Sequence, residues 1–183
     1  MIALPTAIGG LIHLEPQVFK DDRGFFMESY NRPRYQALGI GMEFVQDNHS
    51  SSRRGTVRGL HYQSSPGQAK LLRCTRGTIW DVAVDLRPES PSFGKWQAFE
   101  LDAVSHRQLF IPVGFAHGFC VLSEEAEVQY KCSSVYNPAT ECGISWNDPD
   151  LAVAWPVTNP VISARDQGNE SFAAFKARAK GLR

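Results

Sequence analysis

The chain has little that would staple or anchor it. Its 183 residues contain four cysteines, Cys74, Cys120, Cys132 and Cys142, and no two of them form a C-x-x-C pair. That leaves no thiolate frame for a redox motif or a structural zinc. Three of the four stand in apolar, strand-like stretches, where a free thiol behaves as a small hydrophobe. No stretch reaches the roughly 18 unbroken apolar residues of a membrane span. The apolar N-terminus, MIALPTAIGGLIHL, has no basic leader and is interrupted by Pro5 and Gly9-Gly10, so it does not read as a secretion signal. An excess of either charge is also missing, since 19 Lys+Arg face 19 Asp+Glu. A general nucleic-acid binder would carry a basic excess, and that class is set aside. The expectation is a soluble, cytoplasmic protein with no nucleic-acid and no membrane partner.

What is present is the composition of a packed domain. Hydrophobic residues make up 43% and charged residues 21%, which excludes global disorder. There are no repeats, low-complexity tracts or linker-like shifts, so residues 1–183 are expected to form a single domain. Short apolar runs recur: TIWDVAVDLR (78–87), KWQAFEL (95–101), RQLFIP (107–112), AHGFCVL (116–122) and AEVQYKC (126–132). Between them stand SSPG, RPESPSFG, IPVGF and YNPATECG, where Pro and Gly supply turn geometry. Val82, Val84 and Leu86 alternate with Asp81, Ala83 and Asp85, the two-residue period of a half-buried strand. Many short strands at near-regular spacing predict an all-β fold, an antiparallel jelly roll (a cupin-like β-sandwich or barrel) with short peripheral helices. One short helical turn carries Pro33 and Tyr35 behind an Asn31 cap. A second helix is expected over 169–180, with Asn169 as N-cap, Glu170 in the first turn, Phe172, Phe175 and Ala179 on one face, and Gly181 beyond the end.

From Asn48 to Trp80 there are 33 residues without Asp or Glu, and they hold Arg53, Arg54, Arg58, Lys70, Arg73 and Arg76. Such a local asymmetry in a neutral chain suggests a focused positive field for phosphate or pyrophosphate; the plainer alternative is a solvated face. His61 lies in this segment, where the positive setting favours the neutral imidazole of a usable base. Strict alternation would put Arg58 and His61 on opposite faces, but Gly59 between them permits a bulge. A metal-binding jelly roll would want H-x-H, a nearby acid and a distant His. Here the stretch reads His61-Tyr62-Gln63, Lys70 stands where the acid belongs, and only His117 remains. That is too few ligands for a metal, so no metal and no cofactor are expected.

The ordered motifs DDRGFFMESY (21–30), FVQDNHS (44–50), GTVRGLHYQ (55–63), AKLLRCTRGTIWDVAVDLR (69–87), SPSFGKW (90–96), FIPVGFAHGF (110–119), YKCSSVYNPATECGISWNDPD (130–150) and SARD (163–166) span nearly the whole chain. In that order and spacing they resemble the dTDP-4-dehydrorhamnose 3,5-epimerase family. The resemblance implies one cupin-type epimerase domain, acting without metal on a dTDP-linked 4-keto-6-deoxy sugar in dTDP-L-rhamnose biosynthesis. It also implies a homodimer with exchanged N-terminal strands. Residue by residue, it implies His61 as the base, Asp166 as the carboxylate that orients it, Lys70 as the cation beside the enolate oxygen and Tyr130 as the proton donor. Alternation independently groups Tyr130 with Val128 and Cys132, facing inward. For the substrate, the resemblance implies contacts from Arg23, Glu28, Gln46, Asn48, Arg58, Lys70, His117 and Glu141, with Tyr136 stacked on the base. Arg23 and Glu28 are expected to serve the partner's site, and Phe25 and Phe26 to be core or dimer contacts. The tail after Asp166 departs from the family's Pro-containing ending, and Arg165 stands where Lys is frequent. Alternatives are an epimerase inverting only one centre, a binding module without turnover, and a metal-dependent cupin.

Overall fold

The structure, a computed structural model, describes residues 1–180. In chain order the first strands are β1 (Ile2–Leu4), β2 (Ile12–Glu15), β3 (Val18–Asp21) and β4 (Gly24–Met27). After the helix α1 (Arg32–Ala37) come β5 (Gln46–Arg53), β6 (Val57–Gln63), β7 (Lys70–Arg76), β8 (Thr78–Asp85) and β9 (Trp96–Asp102). The remainder is β10 (Gln108–Ile111), β11 (Phe115–Val121), β12 (Glu125–Cys132), β13 (Glu141–Gly143), α2 (Ala164–Gln167) and α3 (Phe172–Lys180). Two antiparallel sheets, β1-β2-β10-β7-β12-β5 and β13-β6-β11-β8-β9, close over a core that includes Leu72, Ile79, Leu109, Phe119 and Val128. This is the expected cupin-like jelly roll. Every apolar run named above becomes a strand within one or two residues, and Asn31 caps α1 by accepting the Arg34 N–H.

Three local expectations are corrected. The strand β8 is not half-buried, because Val82, Val84 and Leu86 are covered by α3 and the 144–155 segment. Its charged face turns inward instead, leaving Asp81 and Asp85 with no exposed surface. The turn-like stretch YNPATECG contains β13, which pairs with β6. The last helix starts at Phe172 rather than 169. Glu170 forms a parallel bridge with Ile144 and its carbonyl accepts the Ser145 N–H at 2.8 Å, so the backbone there cannot wind. The helix is capped by Ser171 Oγ on the Ala174 N–H (3.2 Å) and by Asp148 Oδ2 on the Phe172 N–H (2.8 Å). Phe172 and Phe175 are buried against the smaller sheet as expected. Gly181 lies outside the described residues.

Phe25 and Phe26 are not core in this chain. They project with Phe19 from the β3–β4 hairpin, 57%, 71% and 56% exposed respectively.

The turn after β8 is held by a buried carboxylate. Arg87 Nη2 donates to Asp85 Oδ2 at 2.7 Å, and Ser90 Oγ and Ser92 Oγ donate to the same oxygen at 2.5 and 2.6 Å. Burial by itself would raise this carboxyl, but the bonds from Arg87, Ser90 and Ser92 outweigh it and bring it from 3.8 down to about 2. A carboxyl depressed on folding stabilises the fold above its unfolded value and loses that contribution as pH falls through the folded one. Asp85→Asn should therefore lose about 2 kcal/mol at pH 7. Denaturant melts at several pH values should show the gap to wild type closing between about pH 4 and pH 2.

Candidate active site

The site begins at an irregularity in β6. His117 pairs with His61 and Phe119 with Arg58, so Gly59 and Leu60 together oppose the single residue Gly118. This is the bulge that Gly59 was expected to permit. Gly59 has φ +124, and a Cβ there would meet Gly118 Cα at 2.6 Å and the His117 carbonyl at 2.7 Å. Only glycine fits this backbone-to-backbone approach.

Asp166 reaches the bulge from α2, whose N-cap Ser163 accepts the Asp166 N–H at 3.1 Å. Its Oδ1 lies 2.6 Å from His61 Nε2, and its Oδ2 accepts the Gly59 N–H at 3.2 Å. Burial opposes ionisation of this carboxyl, but the bonds from His61, Gly59 and Ser163 prevail and hold it below the usual carboxylate range. An ionised Asp166 fixes the proton on Nε2 and leaves the Nδ1 lone pair of a neutral His61 outside that bond.

The larger sheet supplies the opposing groups. Lys70 pairs with Cys132, and Tyr130 with Leu72 and Asn48, so these side chains share the inward face with the core residues Leu72 and Val128. Burial pushes the Lys70 ammonium down, against the pull of Cys132, Asp81 and Glu141. Burial likewise raises the Tyr130 phenol, helped by Cys132, while a hydrogen bond with Asn48 lowers it, so the resting hydroxyl keeps its proton.

A second pair stands next to the first in the ladder. His117 Nε2 is 2.7 Å from Asp81 Oδ2, with both residues buried. Burial drives this imidazole below its ordinary value. Asp81 was missed from sequence. The signal available was its phase, since it shares the face of Ala83, which is fully buried in the barrel core.

Around the mouth, Tyr136 N–H donates to Gln46 Oε1 at 2.7 Å and Gln46 Nε2 donates to Asn48 Oδ1 at 3.0 Å. Arg165, also missed, forms a 2.6 Å ion pair with Glu141. Arg58 is held by Ser52 Oγ (2.9 Å) and by the Ser51 carbonyl (3.2 Å). Arg58, His61, Ser163, Arg165 and Asp166 line one cleft of about 350 Å³. A more apolar cleft of about 430 Å³ lies behind β6, lined in part by Tyr62, Leu86 and Phe175, and contains none of these proton-handling groups.

Not every expected residue arrives. Of the six bases between 48 and 80, Lys70 and Arg58 reach the site. Alternation sends Arg73 outward to Gln129, and Arg76 pairs with Glu125 and Glu127. Arg23 is 90% exposed and paired to Asp21, and Glu28 binds Arg34 and Asn31. Among the described residues no three or more His, Cys, Asp or Glu side chains gather as a metal-ligand group, and no helix is long and apolar enough to cross a membrane.

Comparison with known proteins gives the family. Residues 5–174 match the family model described as dTDP-4-dehydrorhamnose 3,5-epimerase. The dTDP-4-dehydrorhamnose 3,5-epimerase of Shigella flexneri is 51% identical over 174 residues, covering 94% of this chain and 96% of the relative. The dTDP-4-dehydrorhamnose 3-epimerase of Streptomyces niveus is 42% identical, covering 97% of this chain and 86% of the relative. The crystal structure of a dTDP-6-deoxy-D-glucose-3,5-epimerase from Legionella pneumophila, in complex with dTDP-4-keto-L-rhamnose, superposes with a TM-score of 0.93 at 44% identity. It covers 97% of this chain and 95% of that one.

The bulge makes a direct prediction. Gly59→Ala introduces both an unfavourable φ and a backbone clash, each of order 1–3 kcal/mol. Thermal melts should show a marked loss of stability, and any folded fraction should lose the His61–Asp166 contact.

Proposed function

The chain belongs to the dTDP-4-dehydrorhamnose 3,5-epimerase family, and from that premise we infer that it is an isomerase converting dTDP-4-dehydro-6-deoxy-D-glucose to dTDP-4-dehydro-L-rhamnose. The observation that carries the reading is half-buried His61 on the smaller sheet, bonded to buried Asp166 of α2, with Lys70 and Tyr130 on the inward face of the larger sheet. In such a sugar the hydrogens on C3 and C5 are acidic because both carbons flank the C4 carbonyl. His61 removes the proton, the C–H electron pair becomes a C=C bond, and the carbonyl pair moves onto oxygen as an enolate. Lys70 stabilises that oxygen, where preorganised charge acts most strongly on the transition state. Tyr130 returns a proton to the opposite face of the carbon. His61 has then gained one proton and Tyr130 has lost one, and exchange with solvent resets both. Asp166 stabilises the imidazolium formed midway.

In this reading Arg58, Gln46, Asn48, His117 and Glu141 hold the nucleotide and sugar, and the Tyr136 ring stacks on thymine. The exposed Phe19, Phe25 and Phe26 favour a homodimer in which the hairpin carries Arg23 and Glu28 to the partner's mouth. The protein would act as one domain over residues 1–183, in the cytoplasm. Inversion of C3 alone is the second reading, favoured by the likeness to the Streptomyces niveus 3-epimerase.

NMR of the product formed in deuterated water, resolved at C3 and C5, tests both. Deuterium at both carbons supports the first reading, deuterium at C3 alone the second, and none at either overturns both. His61→Asn should abolish exchange and inversion together. Tyr130→Phe should keep exchange with retention while inversion falls roughly 10²–10⁴-fold, the span of a positioned acid or base. Equal loss of both in a folded Tyr130→Phe would assign the tyrosine more than the final proton.

A further inference from the structure

The segment that follows Asp166 grips the His61 strand at more points than the dyad itself. Asp166 holds the N–H side of Gly59. From the other side, Asn169 Nδ2 donates to the Gly59 carbonyl at 3.5 Å. The Asn169 amide lies directly over Gly143, where a Cβ would strike its Oδ1, Cγ and Nδ2. Gly143 in turn pairs with His61 across β13 and β6. One residue further, Glu170 accepts the Tyr62 hydroxyl at 3.1 Å, and Arg178 Nη2 donates to the same hydroxyl at 2.8 Å. Residues 59, 61 and 62 are therefore all tied to this C-terminal segment, and Asn169 sits between the bulge and the strand that backs His61.

We propose that Asn169 is a positioning residue for the base: it fixes the Gly59 carbonyl and the Gly143 face, so that the bulge keeps His61 aligned with Asp166. It touches no reacting atom. The inference deepens the epimerase reading and rests on His61 acting as base, but its geometric half is testable without turnover.

Two variants of the full chain separate the hydrogen bond from packing. Asn169→Leu keeps the bulk and removes the donor, and Asn169→Asp keeps the shape and presents only acceptors. Both should lower kcat by about tenfold or more while KM stays within about twofold, because misaligned reacting groups cost rate rather than binding. Exchange at each carbon that the wild type exchanges should slow in proportion. If Asn169→Leu does not fold, the near-isosteric Asn169→Asp gives the same readout. Lys176→Ala removes an ion pair between α3 and Asp150 without touching β6, and should leave kcat in place. Independently of turnover, the downfield proton NMR signal of His61 Nε2–H, assigned by its loss in His61→Asn, should shift or broaden in the Asn169 variants. A wild type without exchange would sink the functional reading and leave this signal as the test. An unchanged signal, a wild-type kcat in a folded Asn169→Leu, or an equal kcat loss in Lys176→Ala overturns the positioning role.

Discussion

Asp166 spends both of its oxygens on one strand, Oδ1 on the His61 ring and Oδ2 on the Gly59 N–H, and the geometry of the site hangs on that double contact. A carboxylate that bonded only the ring would leave the bulge free to relax; one that bonded only the backbone would leave the ring free to turn. The acid has to be delivered from far along the chain, more than a hundred residues after His61. What delivers it is ordinary packing. Ser163 caps α2, the Ile144–Glu170 bridge stops the chain from winding too early, and Phe172 and Phe175 bury against the smaller sheet. Each such phenylalanine contributes about 1.5–3 kcal/mol of burial, comparable to a charge-assisted hydrogen bond of the kind it holds in register.

The barrel interior then carries charge that a core normally refuses. Lys70, Asp81, His117 and Asp166 are all buried, and burial opposes the charged form of each. They are tolerated because each acid has a specific partner: a histidine at 2.6–2.7 Å, and, for Asp166, two further donors. Lys70 is different. It makes no ion pair within 4 Å among the described residues and is favoured only by the more distant fields of Cys132, Asp81 and Glu141. A cation held in this way has little local neutralisation, which suits it to an oxyanion that exists only in passing.

Much of this was legible in the sequence, and the reasons for the misses are physical. Alternation in 126–132 turned Tyr130 inward, and Gly59 marked the bulge, because strand period and glycine freedom are local properties. The pairing of Asp166 with His61 rested on resemblance, since no local rule links residues so far apart. Asp81 escapes local pattern because alternation in β8 predicts a wet face; the cover over its apolar side comes from α3 and the 144–155 segment, which lie far along the chain. The helix start failed for a related reason. Asn169 and Glu170 look like a cap and a first turn, but a bridge to Ile144 claims that backbone first. The basic segment between 48 and 80 allows either a focused field or a solvated face from its composition, and alternation within β7 divides it between the interior and the outer face.

The sandwich itself suits the proposed chemistry. An enolate is planar at the reacting carbon, so inversion requires a base on one face and an acid on the other. Two packed sheets stand about 10 Å apart, and their inward side chains point at one another across that gap. His61 belongs to the smaller sheet, Lys70 and Tyr130 to the larger, so in the proposed reaction a sugar bound between them would meet the base from one side and the donor from the other. Placing both groups on a single strand could not achieve this, because residues two apart share a face and adjacent residues point away from each other. In that reaction the opposed sheets would set the spacing, while the Gly59 bulge and the Asp166 contact hold the His61 ring on its side of the gap.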